Sequence, residues 1–566
     1  MNSRIRQAMN HTAGSSRSLT RDEAYHDGKL TQAGFISLAI LTFITFIGNF
    51  TQLQLSAALP TIVGEFGINV TTGQWLTSVF QLVMGVMVPL TAFLTRRFST
   101  RQIVLASMVS FTVGSALSWL GPSFELVLVG RILEAIGTGV MWPVLQITIF
   151  SIYPLTHRGV AMGTVGMSMA VAPAIGPTIG GMQTDANGWR SIFLSLTVMG
   201  LFSLVLTFFG LRNFVEKDRT VKADCFSVGL SVFGFGGLMF GFTNIESYPA
   251  LHPLVWAPMV IGVIGIVWFV LRQIRNARLY HQSLERGLAT SPTSHGHASK
   301  ISVGPGDGIP VGGIPIRNPP LLDLGVLRNR SFTIGTVCAS LSFFAFSSIM
   351  VIIPLYIQDD RGYSATMSGL VLLPGAAGQC IAQFFGGKFL DRFGARPVAL
   401  AGTITLLFGT VMMSTISTDT WIWWISIWQF VRQIGMGFVL MPITTWSLNS
   451  LDPQDVSAGS AVTNTARQIS GAVGAPVLVI LMETFARLRH AALGGGADTA
   501  IVSSIFGVQS ALRFSSGIVV IMVLLVAFGV KGDGAGSSRD IARRAIAQMH
   551  VIHGHHLLDV VKHPSD

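Results

Sequence analysis

The segment APAIGPTIGG, residues 172–181, places two prolines and three glycines inside an otherwise apolar run. Proline removes a backbone donor and kinks a helix, while glycine lets a neighbouring backbone approach closely. Both residues are frequent in helices that pack within a bilayer. The surrounding run, 160–182, is long enough to cross the hydrocarbon core of a membrane. The segment therefore predicts a kinked and closely packed transmembrane helix.

Further apolar runs of this length occur along the whole chain. A spanning helix needs roughly 20 mostly apolar residues. Half of the 566 residues are hydrophobic and only 11% are charged, whereas soluble domains carry about a quarter charged residues. We predict an all-α polytopic membrane protein with fourteen transmembrane helices at 35–58, 74–95, 102–120, 124–150, 160–182, 191–211, 226–243, 254–274, 332–357, 366–389, 397–416, 421–449, 457–483 and 511–530.

The basic residues indicate the orientation of these helices. An even number of helices places both termini on the same side of the membrane. With a cytoplasmic N-terminus, 29 Lys and Arg residues fall in cytoplasmic segments and five fall outside. This bias predicts a multi-pass protein of the cell membrane with both termini in the cytoplasm. We therefore assign the net charge of +11 to topology and to contact with anionic lipid headgroups, and expect no nucleic-acid partner.

The two halves of the chain carry a weak duplication, which is typical of transporters. TAFLTRRFSTR (91–101) aligns with GKFLDRFGAR (387–396), and GRILEAIGTGVMWP (130–143) aligns with FVRQIGMGFVLMP (430–442). This predicts two six-helix bundles with two helices inserted between them. The predicted segments are a cytoplasmic tail at 1–34, the N-terminal bundle at 35–211, the inserted helices at 212–280, a cytoplasmic linker at 281–331, the C-terminal bundle at 332–530 and a cytoplasmic tail at 531–566.

From about residue 35 to 530 the chain resembles the major facilitator superfamily, in its fourteen-helix drug:proton antiporter branch. The segment at 172–181 is similar to the antiporter motif of that superfamily, in which the matching residues are Gly176, Pro177, Gly180 and Gly181. The resemblance implies a major facilitator fold and a multidrug efflux transporter that can confer antibiotic resistance. Such a transporter exchanges its substrate for protons by alternating access.

The segment at 387–396 resembles the cytoplasmic loop signature of the same superfamily. The matching residues are Gly387, Asp391, Arg392, Gly394 and Arg396. Glycine permits the tight turn, and the Asp and the basic residues can latch the two bundles together by charge-assisted hydrogen bonds. In the first-half copy Arg96 stands where the Asp is expected, and Ser99 replaces a glycine. A symmetrical latch is therefore not predicted.

The segment GRILEAIGTG, 130–139, resembles the family motif that contains an intramembrane Arg and is linked to proton coupling. The charged Arg131 costs at least about 2.5–3.5 kcal/mol within a membrane, so we expect it to face the bundle interior and to have a partner. Glu134 lies three residues further on the same helical face. The pair is either a permanent ion pair or a proton-coupling site in which Glu134 titrates.

The first helix departs from the branch, because it lacks the acidic residue that usually precedes its Ala-Leu-Pro. Instead Asn49, Gln52 and Ser56 form a polar stripe at i, i+3 and i+7. We expect this stripe to line a substrate cavity, and interhelical hydrogen bonding is the alternative. Gln81, and Trp142 and Gln146 on the fourth helix, are weaker candidates for the same cavity or are simple packing residues.

Two further arginines, Arg432 and Arg467, lie within predicted helices of the second half. In the repeat Arg432 falls at the place of Glu134. We expect these cations to be neutralised by Glu134 across the bundle or by acceptors such as Asn464.

The sequence indicates a secondary active exporter of small amphipathic or hydrophobic compounds such as drugs, dyes or metabolites. It has no GxxxxGK[ST] phosphate loop, so ATP is not the expected energy source. We expect no enzymatic activity, no cofactor, no metal site and a monomer, with protons and the lipid bilayer as partners. An exporter of an endogenous metabolite, peptide or lipid-like compound is the alternative, and a non-transporting sensor is a third hypothesis.

Overall fold

A computed structural model describes residues 24–26, 29–55, 58–68, 70–214, 224–245, 252–289, 322–363, 365–453, 455–494, 496 and 499–530. Ser56, most of the predicted N-terminal tail, most of the predicted linker and the predicted C-terminal tail lie outside these residues.

The described residues form a short two-stranded ladder followed by α-helices. The strands are β1 (Tyr25–His26) and β2 (Lys29–Leu30), which pair antiparallel. The helices are α1 (Gln32–Gln54), α2 (Leu59–Phe66), α3 (Val70–Arg97), α4 (Thr100–Leu120), α5 (Phe124–Gly139), α6 (Met141–Ile152), α7 (Arg158–Asn187), α8 (Arg190–Gly210), α9 (Cys225–Ile245), α10 (Pro253–Ala289), α11 (Arg330–Leu355), α12 (Ala365–Phe393), α13 (Ala395–Met413), α14 (Ile422–Asn449), α15 (Val456–Ala492) and α16 (Ala500–Gly529). We call α1–α8 the N-terminal half, α9 and α10 the inserted pair, and α11–α16 the C-terminal half.

Within the described ranges, nine helical stretches are long and apolar enough to cross a membrane. They coincide with nine of the fourteen predicted segments. Two more predicted segments contain the shorter apolar stretches Trp75–Thr91 and Phe226–Phe242. The other three correspond to α7, α14 and α15, which are long but rich in Gly, Ser, Thr and other polar residues. The all-helical membrane fold is therefore confirmed, whereas the predicted number of fourteen membrane-spanning helices is not confirmed.

The predicted helix at 124–150 is divided into α5 and α6. The break falls at Val140, three residues before Pro143. Proline has no N–H to donate to the carbonyl four residues earlier, which here belongs to Gly139, and its ring crowds that carbonyl. Two helices in line therefore replace the single helix that the apolar run predicts.

Three helices extend further than their apolar runs. The helix α15 continues to Ala492 and α16 begins at Ala500, so much of the region predicted as an outer loop at 484–510 is helical. The helix α10 continues to Ala289, into the segment predicted as linker. Ala, Leu, Arg and Gln in these extensions have high helix propensity, which hydropathy does not measure.

Large apolar side chains cover the outer surface of the helices. On α8 the side chain of Phe209 is 79% exposed, and on α16 that of Phe528 is also 79% exposed. The helix α10 exposes Trp256, Ile264 and Trp268. A continuous apolar surface of this kind would be unfavourable in water and matches a hydrocarbon environment. The exposed surface therefore agrees with the multi-pass membrane prediction.

The repeat predicted from the sequence is visible where helices cross. A Cβ atom added to Gly114 on α4 would lie 2.7 Å from the backbone nitrogen of Glu134 on α5. A Cβ added to Gly409 on α13 would lie 2.7 Å from the Cβ of Arg432 on α14. Each glycine permits a close helix crossing at an equivalent place. Glu134 and Arg432 therefore occupy corresponding positions, as the alignment predicts.

The two halves meet mainly along two pairs of helices, and smaller contacts join α6 to α15 and α7 to α14. The helix α7 packs along α12, and α3 packs against α15. The helix α9 of the inserted pair contacts both α3 and α15, while α10 packs mainly on α9. The inserted pair thus lies over the contact between α3 and α15.

Candidate functional site

Arg131 and Glu134 form a buried ion pair on α5. The Nη1 atom of Arg131 donates to Glu134 Oε2 at 2.7 Å, and both side chains are fully buried. The other carboxylate oxygen of Glu134 accepts a hydrogen bond from Ser115 on α4 at 2.8 Å. The Nε atom of Arg131 donates to the Leu76 carbonyl, and its guanidinium lies 4.3 Å from the centre of the Phe80 ring. The pair predicted from the i, i+3 spacing is therefore formed, with α3 and α4 as its surroundings.

Arg432 lies deep within the C-terminal half. Its Nη2 atom donates to the Ala345 carbonyl on α11 at 2.8 Å, and its Nε and Nη1 atoms are buried without a hydrogen-bond partner among the described residues. Neither Glu134 nor Asn464 contacts it. The expectation that one of them neutralises Arg432 is therefore wrong, because the interior of the C-terminal half encloses this guanidinium.

Arg467 lies where the two halves meet. Its Nη1 atom donates to Asn464 Oδ1 at 3.4 Å, as expected for one of the suggested acceptors. Its guanidinium lies 4.0 Å from the centre of the Phe343 ring on α11 and 6.0 Å from the centre of the Trp142 ring on α6. The structure therefore brings a cation of the C-terminal half beside a residue that we expected to line the substrate cavity.

Gln146 joins the halves next to this arginine. Its Oε1 atom accepts hydrogen bonds from Asn464 Nδ2 at 2.6 Å and from Ser460 Oγ at 2.7 Å. These two partners were missed from the sequence, although Ser460, Asn464 and Arg467 lie at i, i+4 and i+7 on α15. Like the i, i+3, i+7 stripe on α1, this spacing places polar residues on one face of a helix. We call Trp142, Gln146, Ser460, Asn464 and Arg467 the central polar cluster.

Three of the remaining predicted cavity residues are described, and none of them forms a hydrogen bond with the central polar cluster. Asn49 on α1 is half-buried and donates to the Thr45 carbonyl at 3.1 Å and to the Met169 sulfur at 3.6 Å. Gln52 is half-buried on the same helix, and Gln81 on α3 is exposed. Whether these residues line a substrate path remains a prediction.

The antiporter motif lies in α7, which is a continuous helix from Arg158 to Asn187. Gly176 and Gly180 are buried, Gly181 is half-buried and Pro177 lies between them in the helix. A Cβ atom added to Gly180 would collide with the carbonyl oxygen of Gln54 on α1. The side chain of Gln54 donates in turn to Gln183 on α7. The motif therefore allows α1 and α7 to pack closely.

Replacing Gly180 with valine is expected to lower the stability by about 1–3 kcal/mol, because α1 must move to accommodate the side chain. The control is Gly229→Val on α9, since a Cβ atom there meets nothing within 4 Å. Thermal unfolding of the two purified variants measures the difference. Equal melting temperatures would show that the close approach at Gly180 has no structural role.

The loop motif joins α12 to α7. Asp391 accepts backbone hydrogen bonds from Gly159 at 3.0 Å and from Val160 at 2.8 Å, in the first turn of α7. Gly387 lies against the backbone of Gly159, with no room for a side chain. Gly394 has a φ of +87°, a conformation that glycine adopts readily. The predicted latch between the halves is therefore present in the geometry and uses the N-terminus of a helix.

The two arginines of the loop motif lie outside this latch. Arg392 is exposed, and Arg396 donates to the Ala527 carbonyl on α16 within its own half at 2.8 Å. In the first-half copy the residue that faces the other half is Thr95, whose hydroxyl lies 2.9 Å from that of Ser457 on α15. Thr95, rather than Arg96, thus occupies the place of Asp391. The two latches differ because one uses a carboxylate and the other uses two hydroxyl groups.

At the opposite end of the N-terminal half, Glu65 links α2 to the start of α8. Glu65 accepts a hydrogen bond from Trp189 Nε1 at 2.6 Å and forms an ion pair with Arg190. The hydrogen bond from Arg190, followed by that from Trp189, lowers the pKa of Glu65 below its usual value. We call the end of the molecule at which Asp391 contacts α7 the Asp391 end.

Comparison with known proteins agrees with this architecture. The model of the Major Facilitator Superfamily matches residues 38–475. The lincomycin resistance protein LmrB of Listeria innocua is 31% identical over 83% of this chain and 91% of its own length. The multidrug export protein EmrB of Escherichia coli K12 is 23% identical over 81% of this chain and 82% of its own. The crystal structure of the human organic anion transporter MFSD10 (TETRAN) aligns with a TM-score of 0.58 and 11% identity, over 87% of this chain and 99% of that one, which shows the fold alone.

Proposed function

The chain belongs to the Major Facilitator Superfamily, and on that premise we propose that it is a proton-coupled exporter of small amphipathic or hydrophobic compounds. It is a multi-pass membrane transporter of small molecules and not an enzyme. The resistance and multidrug export functions that name LmrB and EmrB support export of foreign compounds.

The observation that carries this proposal is the polar nature of the contacts between the halves. At the Asp391 end the halves are joined by two hydrogen bonds to one carboxylate, and in the centre by the hydrogen bonds of Gln146. Such contacts can be exchanged for water as the halves separate, at a small net cost per hydrogen bond. The arrangement suits two rigid halves that rock about a central site, as alternating access requires.

We assign proton coupling to Glu134. Within the described part of the chain it is the buried carboxylate, and its pair with Arg131 can be weakened when a proton neutralises it. A proton that enters from outside would release Arg131 and alter the contacts of α5 with α3 and α4. In this proposal the fourteen predicted helices span the membrane, the Asp391 end faces the cytoplasm and both termini lie there.

The proposal predicts that purified protein in liposomes accumulates lipophilic dyes when the interior is more acidic than the exterior. Uptake should exceed the rate without a gradient several-fold and fall to that rate when a protonophore is added. Growth of a drug-sensitive bacterial host that expresses the protein tests the substrate class. Gradient-independent uptake would contradict proton coupling, and unchanged tolerance to every dye, quaternary amine and antibiotic would favour an endogenous cargo.

A further inference from the structure

Arg467 is a buried cation that lacks an acidic partner. Its residue surface is 7% exposed, and its one hydrogen bond, from Nη1 to Asn464, is long at 3.4 Å. A guanidinium carries five N–H donors, so four of them have no hydrogen-bond acceptor among the described residues. Within a membrane protein an uncompensated charge of this kind is expensive and usually serves a function.

The surroundings of Arg467 add a further donor and two aromatic faces. The indole nitrogen of Trp142 is also buried without a hydrogen-bond partner among the described residues. The rings of Trp142 and Phe343 flank the guanidinium from different helices. An indole N–H and a guanidinium can only donate hydrogen bonds. Both groups therefore keep donors that have no acceptor among the described residues, and a bound molecule could supply one.

Arg131 and Arg432, the other two arginines that we predicted to lie within the membrane, differ in their surroundings. Arg131 has its carboxylate partner, Glu134. Arg432 packs against α11 and α13 of its own half and has no hydrogen bond or ring contact with the described residues of the N-terminal half. Arg467 alone of the three contacts a residue of the opposite half, Trp142. Separation of the halves would therefore expose its guanidinium to the central space between them.

We propose that Arg467 binds the anionic headgroup of an amphipathic aromatic or aliphatic substrate, with Trp142 and Phe343 in contact with its apolar part. A carboxylate or sulfonate fits the planar fork of a guanidinium with two parallel hydrogen bonds. This assignment names the substrate class of the exporter and rests on that proposed function for the transport step. The binding step itself needs no gradient and can be measured separately.

The test uses three ligands with one ring system and different headgroups. Full-length protein in nanodiscs of zwitterionic lipid is titrated with 2-naphthoate, with 2-naphthyltrimethylammonium and with 2-naphthamide, and empty nanodiscs provide the background. Wild-type protein should bind the carboxylate at least about tenfold more tightly than the ammonium ion, which corresponds to one decade in Kd. Arg467→Met should lower carboxylate affinity by about tenfold or more and leave carboxamide affinity within about twofold. The carboxylate affinity of Arg467→Lys should lie between those of the wild type and Arg467→Met, because an ammonium group cannot form the bidentate contact.

The matched control is Arg432→Met, which removes a cation of similar burial that does not contact the N-terminal half. It should retain the carboxylate affinity of the wild type. Thermal unfolding of Arg467→Met should be unchanged or shifted upwards, because removal of an uncompensated buried charge does not destabilise the protein. Trp142→Phe provides a second test, since loss of the indole donor should weaken carboxylate binding by a factor of about three to ten.

The proposal is overturned if Arg467→Met binds 2-naphthoate as tightly as the wild type, or if the wild type prefers the ammonium ion. Failure of the exporter function gives a different result. In that case 2-naphthoate binds in an Arg467-dependent manner, while no ligand is accumulated by proteoliposomes with an imposed pH gradient.

Discussion

Replacing Glu134 with glutamine is expected to abolish transport driven by a pH gradient and to destabilise the protein by about 3–5 kcal/mol, because it leaves Arg131 as an unpaired buried charge. Glutamine keeps one carbonyl oxygen, which can accept from Arg131 while its amide NH2 donates to the Ser115 hydroxyl, but it neither carries a charge nor titrates. The hydrogen bond from Arg131 to the Leu76 carbonyl and its contact with Phe80 remain, and they cannot neutralise the guanidinium.

A double variant separates the loss of coupling from the loss of stability. Arg131→Met combined with Glu134→Leu replaces the ion pair with apolar side chains, a change that is often neutral or stabilising. We expect this variant to unfold near the wild-type temperature and still to show no gradient-driven transport in liposomes. If it regained both stability and coupled transport, Glu134 would be a structural partner of Arg131 and the coupling assignment would be wrong.

Replacing Asp391 with alanine is expected to shift the molecule strongly toward a state that is open at the Asp391 end. Two backbone N–H groups at the start of α7 lose their acceptor. Hydrogen bonds to a charged group contribute about 1.5–3 kcal/mol each, so two bonds at the lower end of that range account for roughly 3 kcal/mol. A change of about 1.4 kcal/mol alters an equilibrium tenfold. The ratio of open to closed molecules should therefore rise by roughly a hundredfold.

Cross-linking measures this change directly. Exposed positions on the two helices, Thr164 on α7 and Lys388 on α12, can be replaced with cysteine in a background that lacks Cys225, Cys338 and Cys380. The yield of a short cross-link between them should fall in the Asp391→Ala variant. Asp419→Asn is the control, because Asp419 is an exposed acid that the neighbouring Thr418 contacts. Equal yields in all three proteins would contradict the latch.

Much of the helical architecture follows from one-dimensional patterns. Long apolar runs predict nine of the membrane helices. The internal alignment predicts that Arg432 corresponds to Glu134, and the crossings at Gly114 and Gly409 agree with it. The break at Val140 was missed because the run across Pro143 is uniformly apolar. The extension of α15 to Ala492 was also missed, since its residues favour a helix without being hydrophobic. Hydropathy therefore indicates which segments lie in the hydrocarbon core of a membrane. It does not indicate the residues at which a helix begins and ends.

The candidate site could be predicted only where partners lie on one helix. The pairing of Glu134 with Arg131 follows from the helical repeat, whereas the hydrogen bond from Ser115 joins two helices and leaves no such signal. For the same reason Gln146 was assigned to a cavity, and its partners on α15 were not identified. Contacts between distant segments depend on how whole helices pack against each other. The spacing of residues within one segment carries no information about that packing.

The inserted pair covers one of the two sides on which the N-terminal and C-terminal halves meet, and leaves the other side uncovered. Because α9 lies across α3 and α15, that side of the boundary between the halves is shielded from hydrocarbon. On the other side, α7 and α12 present exposed side chains such as Met182 and Phe385 directly to the lipid tails. A compound dissolved in the bilayer would thus meet the boundary between the halves from one side only. The two added helices therefore leave one of the two boundaries facing the lipid.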